Sequence, residues 1–371
     1  MTRLLKKLLL ALPGFQWLCR RLTRHHVRVF MYHRFVDSPR RGVDGHGIET
    51  LDWQMAAVKA HHEPWTVQRH FEALSGTRPG NGGCPVVVTV DDGYRDFAST
   101  ALPVFEKYGI PVTLYVTTGF VSGDLWLWWD QLRYMFETAP ETSLDVEYAG
   151  EHFHVDLNSP TSRRATWHRI AGRCCFLQDD DRLAVIATIA RRLDFEIPEQ
   201  PPEQFAPLSW DELRRLRDRG VAFGAHTVSH SVLTRLPLVK ARWEIQESRR
   251  MLEEKLGEPA SWFCFPLGGP ADWSSELVDE VAAAGFATSY LAFPSLSGDT
   301  NLFTLPRWGA PCDPTEFHWI LCGAAYLDLY LHRLLGRKIG PGPSYWEGAR
   351  PASLAHEHQS APQEMIPDNQ R

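Results

Sequence analysis

Short apolar runs alternate along the chain with longer stretches in which apolar residues recur at helical spacing. Five runs rich in β-branched or aromatic residues predict strands: VVVTV (86–90), VTLYV (112–116), VAFGA (221–225), WFCF (262–265) and ATSYL (around 288). Helical patterns follow near 99–108, 211–219, 236–256 and 274–285, and Ser209 and Glu212 have the spacing of a capping box. Such alternation is typical of parallel strands joined by helical crossovers, so the pattern predicts an α/β fold.

The same pattern divides the chain into a core and two unlike ends. Residues 29–340 form the predicted core, which is interrupted at about 140–207 by a segment that we interpret as a mostly helical insertion. The tail from 341 to 371 is rich in Pro, Gly, Ser, His and Gln, which predicts disorder. Residues 1–28 form a separate basic and amphipathic segment.

This N-terminal segment has no Asp or Glu. Its basic residues flank the apolar stretch LLLALPGFQWL and are Arg3, Lys6, Lys7, Arg20, Arg21, Arg24 and Arg28. No small-residue cleavage site follows that stretch, and no run reaches the ~20 apolar residues that a membrane span requires. Two interpretations stay open, a segment that lies on an anionic membrane surface and a helix that packs on the domain.

Composition limits the classes of partner and compartment. The chain has 371 residues, and 39 basic against 45 acidic side chains give a formal net charge of −6, which argues against a nucleic acid partner. Seven cysteines without a CxxC pair fit neither a disulfide framework nor a zinc ribbon, and favour a reducing compartment. We therefore expect a cytoplasmic protein, peripheral to the inner membrane, with export as the alternative.

Polar clusters follow three of the predicted strands. These clusters are DDGYRD (91–96), HTVSH (226–230) and PLGGP (266–270). Because the carboxyl ends of parallel strands meet on one face of an α/β fold, we expect two carboxylates and two imidazoles to share one site. Each motif alone is also compatible with a surface turn or an incidental pair of histidines.

The adjacent carboxylates of Asp91 and Asp92 need compensation at the end of a buried strand, because they repel each other and lose hydration. A divalent metal such as Zn²⁺ accepts imidazole nitrogens and a carboxylate oxygen, and it lowers the pKa of bound water towards ~7. One aspartate can then bind the metal while the other accepts a proton. Gly93 allows the turn that directs both side chains.

The motifs TVDDGYRD, HTVSH and FPLGG resemble the first three motifs of the NodB-homology polysaccharide deacetylases. That family comprises metal-dependent carbohydrate esterases with a distorted (β/α) barrel, and the resemblance extends from VFMYHRF (29–35) to LPRWGAP (305–311). It implies that the chain hydrolyses an N-acetyl or other N-acyl amide on a sugar, with a divalent metal such as Zn²⁺. The implied substrates are acetylated glycans or lipid-linked sugars of the bacterial cell surface.

The resemblance also implies roles for individual residues. Asp91 matches the catalytic base, and Asp92, His226 and His230 match the metal ligands. The backbone N–H of Leu267 matches a donor that helps to hold the oxyanion of the tetrahedral intermediate.

Two positions depart from the family pattern. Cys264 stands where the third motif often carries an arginine that orients the base, and Arg307 in LPRWG is a substitute for it or an ordinary arginine at the core edge. The late Leu-x-x-His motif of the general acid is absent. His318 and His332 fall in predicted helices, which leaves His33 in MYHRF as a weak candidate.

Three tryptophans, Trp126, Trp128 and Trp129, follow the second predicted strand. Exposed indoles would suit a glycan cleft, whereas buried ones would belong to the core. Two alternative functions also stay open, an O-acetyl esterase on a polysaccharide and a catalytically silent glycan-binding protein. The departures at the arginine and histidine positions favour the silent protein, and the Asp–Asp–His–His set opposes it.

Overall fold

The computed structural model describes residues 1–37, 45–77, 83–148, 151–296 and 301–336. The strands are β1 (Arg28–Tyr32), β2 (Phe35–Val36), β3 (His46–Gly47), β4 (Glu63–Trp65), β5 (Pro85–Val90), β6 (Val112–Val116), β7 (Ser143–Tyr148), β8 (Glu151–Asp156), β9 (Ala222–Ala225), β10 (Trp262–Cys264), β11 (Thr288–Tyr290) and β12 (Trp308–Gly309). The helices are α1 (Arg3–Ala11), α2 (Phe15–Leu22), α3 (Ile48–His61), α4 (Val67–Leu74), α5 (Leu102–Tyr108), α6 (Thr118–Ser122), α7 (Trp128–Thr138), α8 (Pro160–Cys174), α9 (Asp179–Arg192), α10 (Trp210–Asp218), α11 (Leu238–Leu256), α12 (Ser275–Ala283), α13 (Pro314–Leu321) and α14 (Ala324–Leu334).

The described residues form two compact units. The first comprises residues 1–131 and 196–336, and the second comprises residues 132–195. The second unit contains α8, α9 and the antiparallel pair β7–β8. The sequence pattern predicted helices in this part of the chain but did not predict the two strands. The predicted disordered tail, 341–371, lies outside the described residues.

The large sheet of the first unit is parallel at every pairing. Its strand order is β11-β10-β9-β6-β5-β1-β12, and β4 also pairs with the beginning of β5. The five predicted strands are confirmed as β5, β6, β9, β10 and β11. Helices α5, α10, α11 and α12 confirm the helical predictions, and α10 begins with the predicted reciprocal capping box between Ser209 and Glu212.

The segment 302–309 closes this sheet into a barrel. Its first part bonds to β11, since the Leu305 N–H donates to Ser289 and the Leu291 N–H donates to Leu305. Its last part is β12, which pairs in parallel with β1. One short segment therefore joins the two edges of the sheet, and the predicted distorted (β/α) barrel is confirmed.

Alternate residues of the strands enter two separate cores. Val86, Val88 and Val90 of β5 pack in the cluster between sheet and helices. Val87 instead joins a cluster that includes Tyr115, Cys264 and Tyr290 inside the barrel. Side chains in a strand alternate between the two faces, so Asp91 continues the inward series of Val87 and Thr89.

Helices α1 and α2 pack on the first unit through their inner faces. Helix α1 lies against α13, and α2 lies against α14. Arg3 forms an ion pair with Asp313, and Lys6 forms one with Glu316 at 2.6 Å. The inner faces of α1 and α2 therefore agree with one of the two interpretations of residues 1–28, that of a helix packed on the domain. Among the described helices, none is long and apolar enough to cross a membrane.

Candidate active site

Side chains from four parallel strands meet at the carboxyl ends of those strands inside the first unit. His33 follows β1, Asp91 and Asp92 follow β5, His226 follows β9 and Cys264 ends β10. The motifs DDGYRD and HTVSH, which the sequence analysis expected to share one site, are therefore adjacent in the structure, and β10, which precedes the motif PLGGP, ends beside them. This edge is where ligands bind in parallel α/β folds.

Asp92, His226 and His230 form a compact set of buried donors. The Nε2 atoms of His226 and His230 lie 3.7 and 3.4 Å from Asp92 Oδ1. This oxygen is buried and has no hydrogen-bond partner among the described residues, a costly arrangement for a carboxylate unless a cation is close. Two imidazole nitrogens and one carboxylate oxygen are a common ligand set for a divalent metal that keeps an open position, so these residues fit such an ion.

The orientation of His226 also suits metal binding. Its Nδ1 lies 2.8 Å from the carbonyl oxygen of Cys264. Because a carbonyl can only accept, Nδ1 carries the proton and the lone pair of Nε2 is directed towards Asp92. Metal-binding histidines are commonly held in this way by a hydrogen bond from the second ring nitrogen.

Burial shifts the protonation equilibria of this set strongly. Desolvation, with the charges of Asp91 and Asp130, raises the pKa of Asp92 well above its usual value. Desolvation lowers the pKa of His226 to about 4 and, with a further effect of His226, places the pKa of His230 well below its usual value. The imidazoles are therefore neutral at pH 7, as metal ligands must be, and a cation would favour the ionised form of Asp92.

Asp91 has a different environment from its neighbour. Arg307 donates from both terminal nitrogens to the two carboxylate oxygens of Asp91, each at 2.7 Å. Desolvation alone would raise the pKa of Asp91, but the charge of Arg307, with smaller effects of His226 and His33, outweighs it and lowers this pKa to about 2. Arg307 is fully buried, so it is not an arginine at the core edge.

Cys264 helps to place an arginine from a distant segment beside Asp91. The Arg307 guanidinium donates to Cys264 Sγ at 2.7 Å and to Thr89 Oγ1 at 3.0 Å. Arg307 precedes β12, whereas Cys264 ends β10 and carries a short side chain that leaves room for the guanidinium. The arginine that pairs with Asp91 thus comes from the segment just before β12 and not from the position two residues before Pro266.

Several site residues have backbone conformations that are unfavourable for side chains with a Cβ. The φ angles of Asp92, Thr227, His230 and Leu267 are 78°, 64°, 58° and 57°. Each left-handed residue costs roughly 1–2 kcal/mol, and such strain is concentrated at functional sites. Gly93, with φ of 101°, provides the turn that the sequence analysis expected.

Glu244, which the sequence analysis missed, fixes the loop between His226 and His230. This buried carboxylate on α11 accepts hydrogen bonds from the backbone N–H groups of Val228 and Ser229 at 2.8 and 3.0 Å and from the Ser229 hydroxyl at 2.6 Å. Thr227 contributes a further bond, because its hydroxyl accepts from the His230 N–H at 3.0 Å. A glutamate in the middle of a long helix gave no sequence signal of this contact.

The loop that contains Leu267 is held by its glycines. Gly268 has a φ of 54°, and a Cβ there would lie 2.5 Å from the backbone nitrogen of Ala292. The Gly269 N–H donates to Asp272 at 3.0 Å. These contacts require glycine at 268 and fix the backbone next to Leu267.

His33 lies close to Asp91. Its Nε2 lies 4.0 Å from Asp91 Oδ2, and 44% of its side chain is exposed. Desolvation lowers the pKa of His33, while the charge of Asp91 raises it in part. His318 lies in α13 beside Trp53, and His332 lies in α14, so neither is at the site.

The three tryptophans divide between core and site. Trp126 and Trp128 are buried, as the core interpretation expected. Trp129 is half-buried, and its ring centroid lies 4.6 Å from that of His230. Its Nε1 donates to the Tyr94 hydroxyl at 3.1 Å, which in turn donates to Asp130 at 2.5 Å. Trp129 therefore lines the site, supported by two residues that lay inside the motifs TVDDGYRD and DLWLWWDQL.

Comparisons with known proteins agree with this geometry. The family model described as "Polysaccharide deacetylase" matches residues 80–142 and 176–289. The structure is similar to that of IcaB from Ammonifex degensii, with 16% identity, a TM-score of 0.52, and coverage of 80% of this chain and 97% of that one. It is also similar to Streptococcus pyogenes deacetylase PplD in complex with acetate, with 16% identity, a TM-score of 0.50 and the same coverages.

At this identity the two structures support the fold alone. A sequence search finds no curated protein that matches the chain. The family match includes Asp91, Asp92, His226 and His230 as well as the strand that ends at Cys264. Over these residues the chain therefore contains a polysaccharide deacetylase domain, so the resemblance predicted from the sequence and the predicted enzyme class, a sugar deacetylase, are both confirmed.

Proposed function

We propose that this protein is a metal-dependent hydrolase that removes the N-acetyl group of an amino sugar in a bacterial glycan or lipid-linked sugar. The observation that carries the proposal is that two adjacent aspartates have different environments. Asp91 is held ionised by Arg307 at 2.7 Å, while Asp92 faces two neutral imidazoles with an unsatisfied oxygen. One carboxylate is thus arranged as a base and the other as a ligand.

Asp92, His226 and His230 would hold the metal, and Zn²⁺ suits a set of two imidazoles and one carboxylate. When bound, such an ion polarises the acyl carbonyl and lowers the pKa of a coordinated water towards ~7. Glu244 would keep the two histidines at a fixed separation through the loop between them.

Asp91 is the proposed general base. In the hydrolysis, a water molecule attacks the acetyl carbon, Asp91 accepts a proton from that water, and the bond between carbon and nitrogen breaks. The products are acetate and the free amine of the sugar. Arg307 directs both oxygens of Asp91 and keeps the carboxylate ionised at neutral pH, which a base requires.

The backbone N–H of Leu267 is the proposed donor to the oxyanion that forms on the acyl oxygen. The left-handed φ of Leu267 and the glycine required at 268 support a backbone that is fixed before the substrate binds. Preorganised donors of this kind typically contribute a factor of about 10²–10³ to the rate.

His33 is the proposed general acid. It is partly exposed, it lies 4.0 Å from Asp91 and it follows a strand of the same barrel. An amine leaves readily only when its nitrogen is protonated. Because desolvation lowers the pKa of His33, its neutral imidazole would take up the proton that Asp91 has accepted and pass it to the departing nitrogen. Arg307 and His33 would thus fill the two roles that the sequence pattern left vacant, which weakens the case for a silent glycan-binding protein.

The half-buried ring of Trp129 beside His230 supports a sugar as the substrate, because an indole presents an apolar face to a sugar ring. An O-acetyl esterase would use the same residues and is the alternative. A cytoplasmic location near lipid-linked precursors stays part of the proposal.

The test combines metal content with substrate choice. Purified protein should contain about one divalent ion per chain and release acetate from N-acetylated chito-oligosaccharides faster than from acetylated xylan. Faster release of acetate from acetylated xylan would favour the O-acetyl esterase over the N-deacetylase. Bound glycan without acetate release, in a protein that contains its metal, would instead establish the silent binding protein. Chelation should abolish turnover, and added Zn²⁺ should restore it.

A further inference from the structure

Helices α1 and α2 expose an unusually large apolar surface. Leu4 is 69% exposed, Leu8 59% and Trp17 59%. We call this surface the N-terminal apolar face, and its residues are Leu4, Leu5, Leu8, Leu12, Trp17, Leu18 and Leu22. Large exposed apolar patches on folded proteins are rare and mark sites of interaction with other proteins or with membranes.

The N-terminal apolar face is distinct from the face that packs on the protein. Leu9, Leu10 and Phe15 pack against the main core, and Phe15 stacks on Trp319 with ring centroids 5.8 Å apart. Cys19 is buried. The two helices are thus held through one apolar face and leave a second one exposed, so the exposed leucines are not explained by packing of these helices on the barrel.

Exposed cations accompany this face. Lys7, Arg21 and Arg24 are exposed, and the Arg21 guanidinium lies 5.8 Å from the ring centroid of Trp17. Arg3 and Lys6, in contrast, already pair with acidic residues of α13 and its N-cap. Residues 1–28 contain no acidic residue. Leucine and tryptophan side chains flanked by cations match the boundary between acyl chains and anionic headgroups.

Helix α14 carries further exposed apolar residues. It packs against α2, and Leu331 and Leu334 in its last turn and Leu335 directly after it are exposed.

We infer that the N-terminal apolar face binds the surface of a bilayer that contains anionic phospholipids, with its leucines and Trp17 at the acyl boundary and Lys7, Arg21 and Arg24 at the headgroups. The cations select anionic lipid, and the apolar residues select lipid over a soluble anionic polymer. The inference does not depend on the proposed deacetylation, because it rests on residues outside the active site.

The test is sedimentation of the full chain with vesicles of phosphatidylglycerol and phosphatidylcholine, or of phosphatidylcholine alone. Two variants test the two contributions to binding separately. L8Q/W17Q removes apolar side chains, and K7E/R21E/R24E removes the cations. We call these two the face variants. Matched controls place the same kinds of change at exposed residues elsewhere, V239Q/W243Q and K59E/R192E/R215E. A third variant, K7R/R21K/R24K, retains the charge. Circular dichroism and urea denaturation confirm that each variant is folded.

The wild type should pellet with anionic vesicles at least tenfold more strongly than with neutral ones, and both controls and the charge-retaining variant should behave like it. L8Q/W17Q and K7E/R21E/R24E should each lose at least tenfold in apparent affinity. Raising the salt from 0.1 to 1 M should weaken binding of the wild type, because the Debye length falls from about 10 to about 3 Å. Equal pelleting of wild type and both face variants, or no pelleting of the wild type, would overturn the inference. So would a lipid-independent dimer that L8Q/W17Q dissociates, since the face would then bind a second copy.

Discussion

Arg307 and Asp91 form a buried bidentate ion pair inside the barrel, with both pairs of atoms at 2.7 Å. Arg307 is fully buried, and Asp91 is 1% exposed. Removing one partner of a buried pair leaves an uncompensated charge, which costs about 3–5 kcal/mol, whereas replacing both by neutral residues is often close to neutral. The same contact therefore supports the fold and sets the protonation state of the proposed base.

The substitution Arg307→Met should lower the free energy of unfolding by about 3–5 kcal/mol, because Asp91 is then buried without its cation. Activity at neutral pH should fall at least a hundredfold, since the pKa of Asp91 rises when the charge of Arg307 is lost. Urea denaturation and acetate release measure the two effects. The double variant Asp91→Asn/Arg307→Met should recover most of the stability and none of the activity. A double variant as unstable as the single one would contradict this account.

Asp91→Asn should keep the metal and lose activity by at least a hundredfold. The amide has nearly the same shape as the carboxylate but cannot accept a proton from water. It should also reduce stability, because Arg307 keeps its charge without a partner. Metal analysis and acetate release on the folded fraction test this. The double variant Asp91→Asn/Arg307→Met is the control, because its stability should be close to that of the wild type while its base is still absent. Turnover at the wild-type rate would reduce Asp91 to a structural residue.

His226→Ala or His230→Ala should remove most of the bound metal and, with it, most of the activity. A site with three protein ligands has none in excess, so loss of one imidazole weakens binding strongly. Metal content after dialysis is the measurement. His61→Ala, an exposed histidine at the end of α3, is the matched control and should retain its metal. Unchanged metal in His226→Ala would rule out the proposed ligand set.

His33→Ala should separate two kinds of substrate. Acetate release from an N-acetyl sugar should fall by a factor of about 10²–10⁴, the usual contribution of a general acid. Hydrolysis of p-nitrophenyl acetate should fall much less, because its phenolate leaves without a proton. Metal content should not change. An equal loss on both substrates would show that His33 acts on the base or on the fold and does not protonate the leaving group.

Acidification should weaken the fold through His70. This buried imidazole bonds to the Tyr290 hydroxyl at 2.7 Å, and desolvation lowers its pKa to about 4. The unfolded chain, with a histidine pKa near 6.5, then binds more protons between pH 6.5 and 4. Stability present above pH 6.5 should therefore be lost as the pH falls, by on the order of 3 kcal/mol in total.

The comparison is urea denaturation of wild type and His70→Gln at pH 7 and pH 4.5. Glutamine can bond to the Tyr290 hydroxyl but does not titrate, so the variant should lose less stability over this range. His61→Gln provides a control at an exposed histidine. Identical losses in the wild type and His70→Gln would assign the acid sensitivity to other groups.

The parts of the fold that follow from local pattern could be predicted from the sequence. The β5 run VVVTV is apolar on both faces because parallel strands are covered on both sides, and Ser209 and Glu212 cap a helix through neighbouring residues. The hairpin β7–β8 was missed, although Leu144 and Val146 alternate with polar residues, because helical patterns around it dominated the interpretation.

Some residues of the candidate site could likewise be predicted from the sequence, and others could not. Asp91, Asp92, His226 and His230 were predicted because each pair lies within one short motif at the end of a strand, and the resemblance to a known family assigned their roles. Sequence alone could not decide between Arg307 as a partner of the base and Arg307 as an ordinary arginine. Nor could it identify Glu244 as the support of the histidine loop.

Only the tertiary structure decided these last contacts, and the reason is physical. Arg307 meets Asp91 across 216 positions of sequence because one segment closes the barrel between β11 and β1 and carries its side chain inside. Such a contact depends on strand order and on the space that Cys264 leaves, and neither is a property of neighbouring residues. The chain determined which residues could perform the chemistry, and barrel closure determined which of them meet.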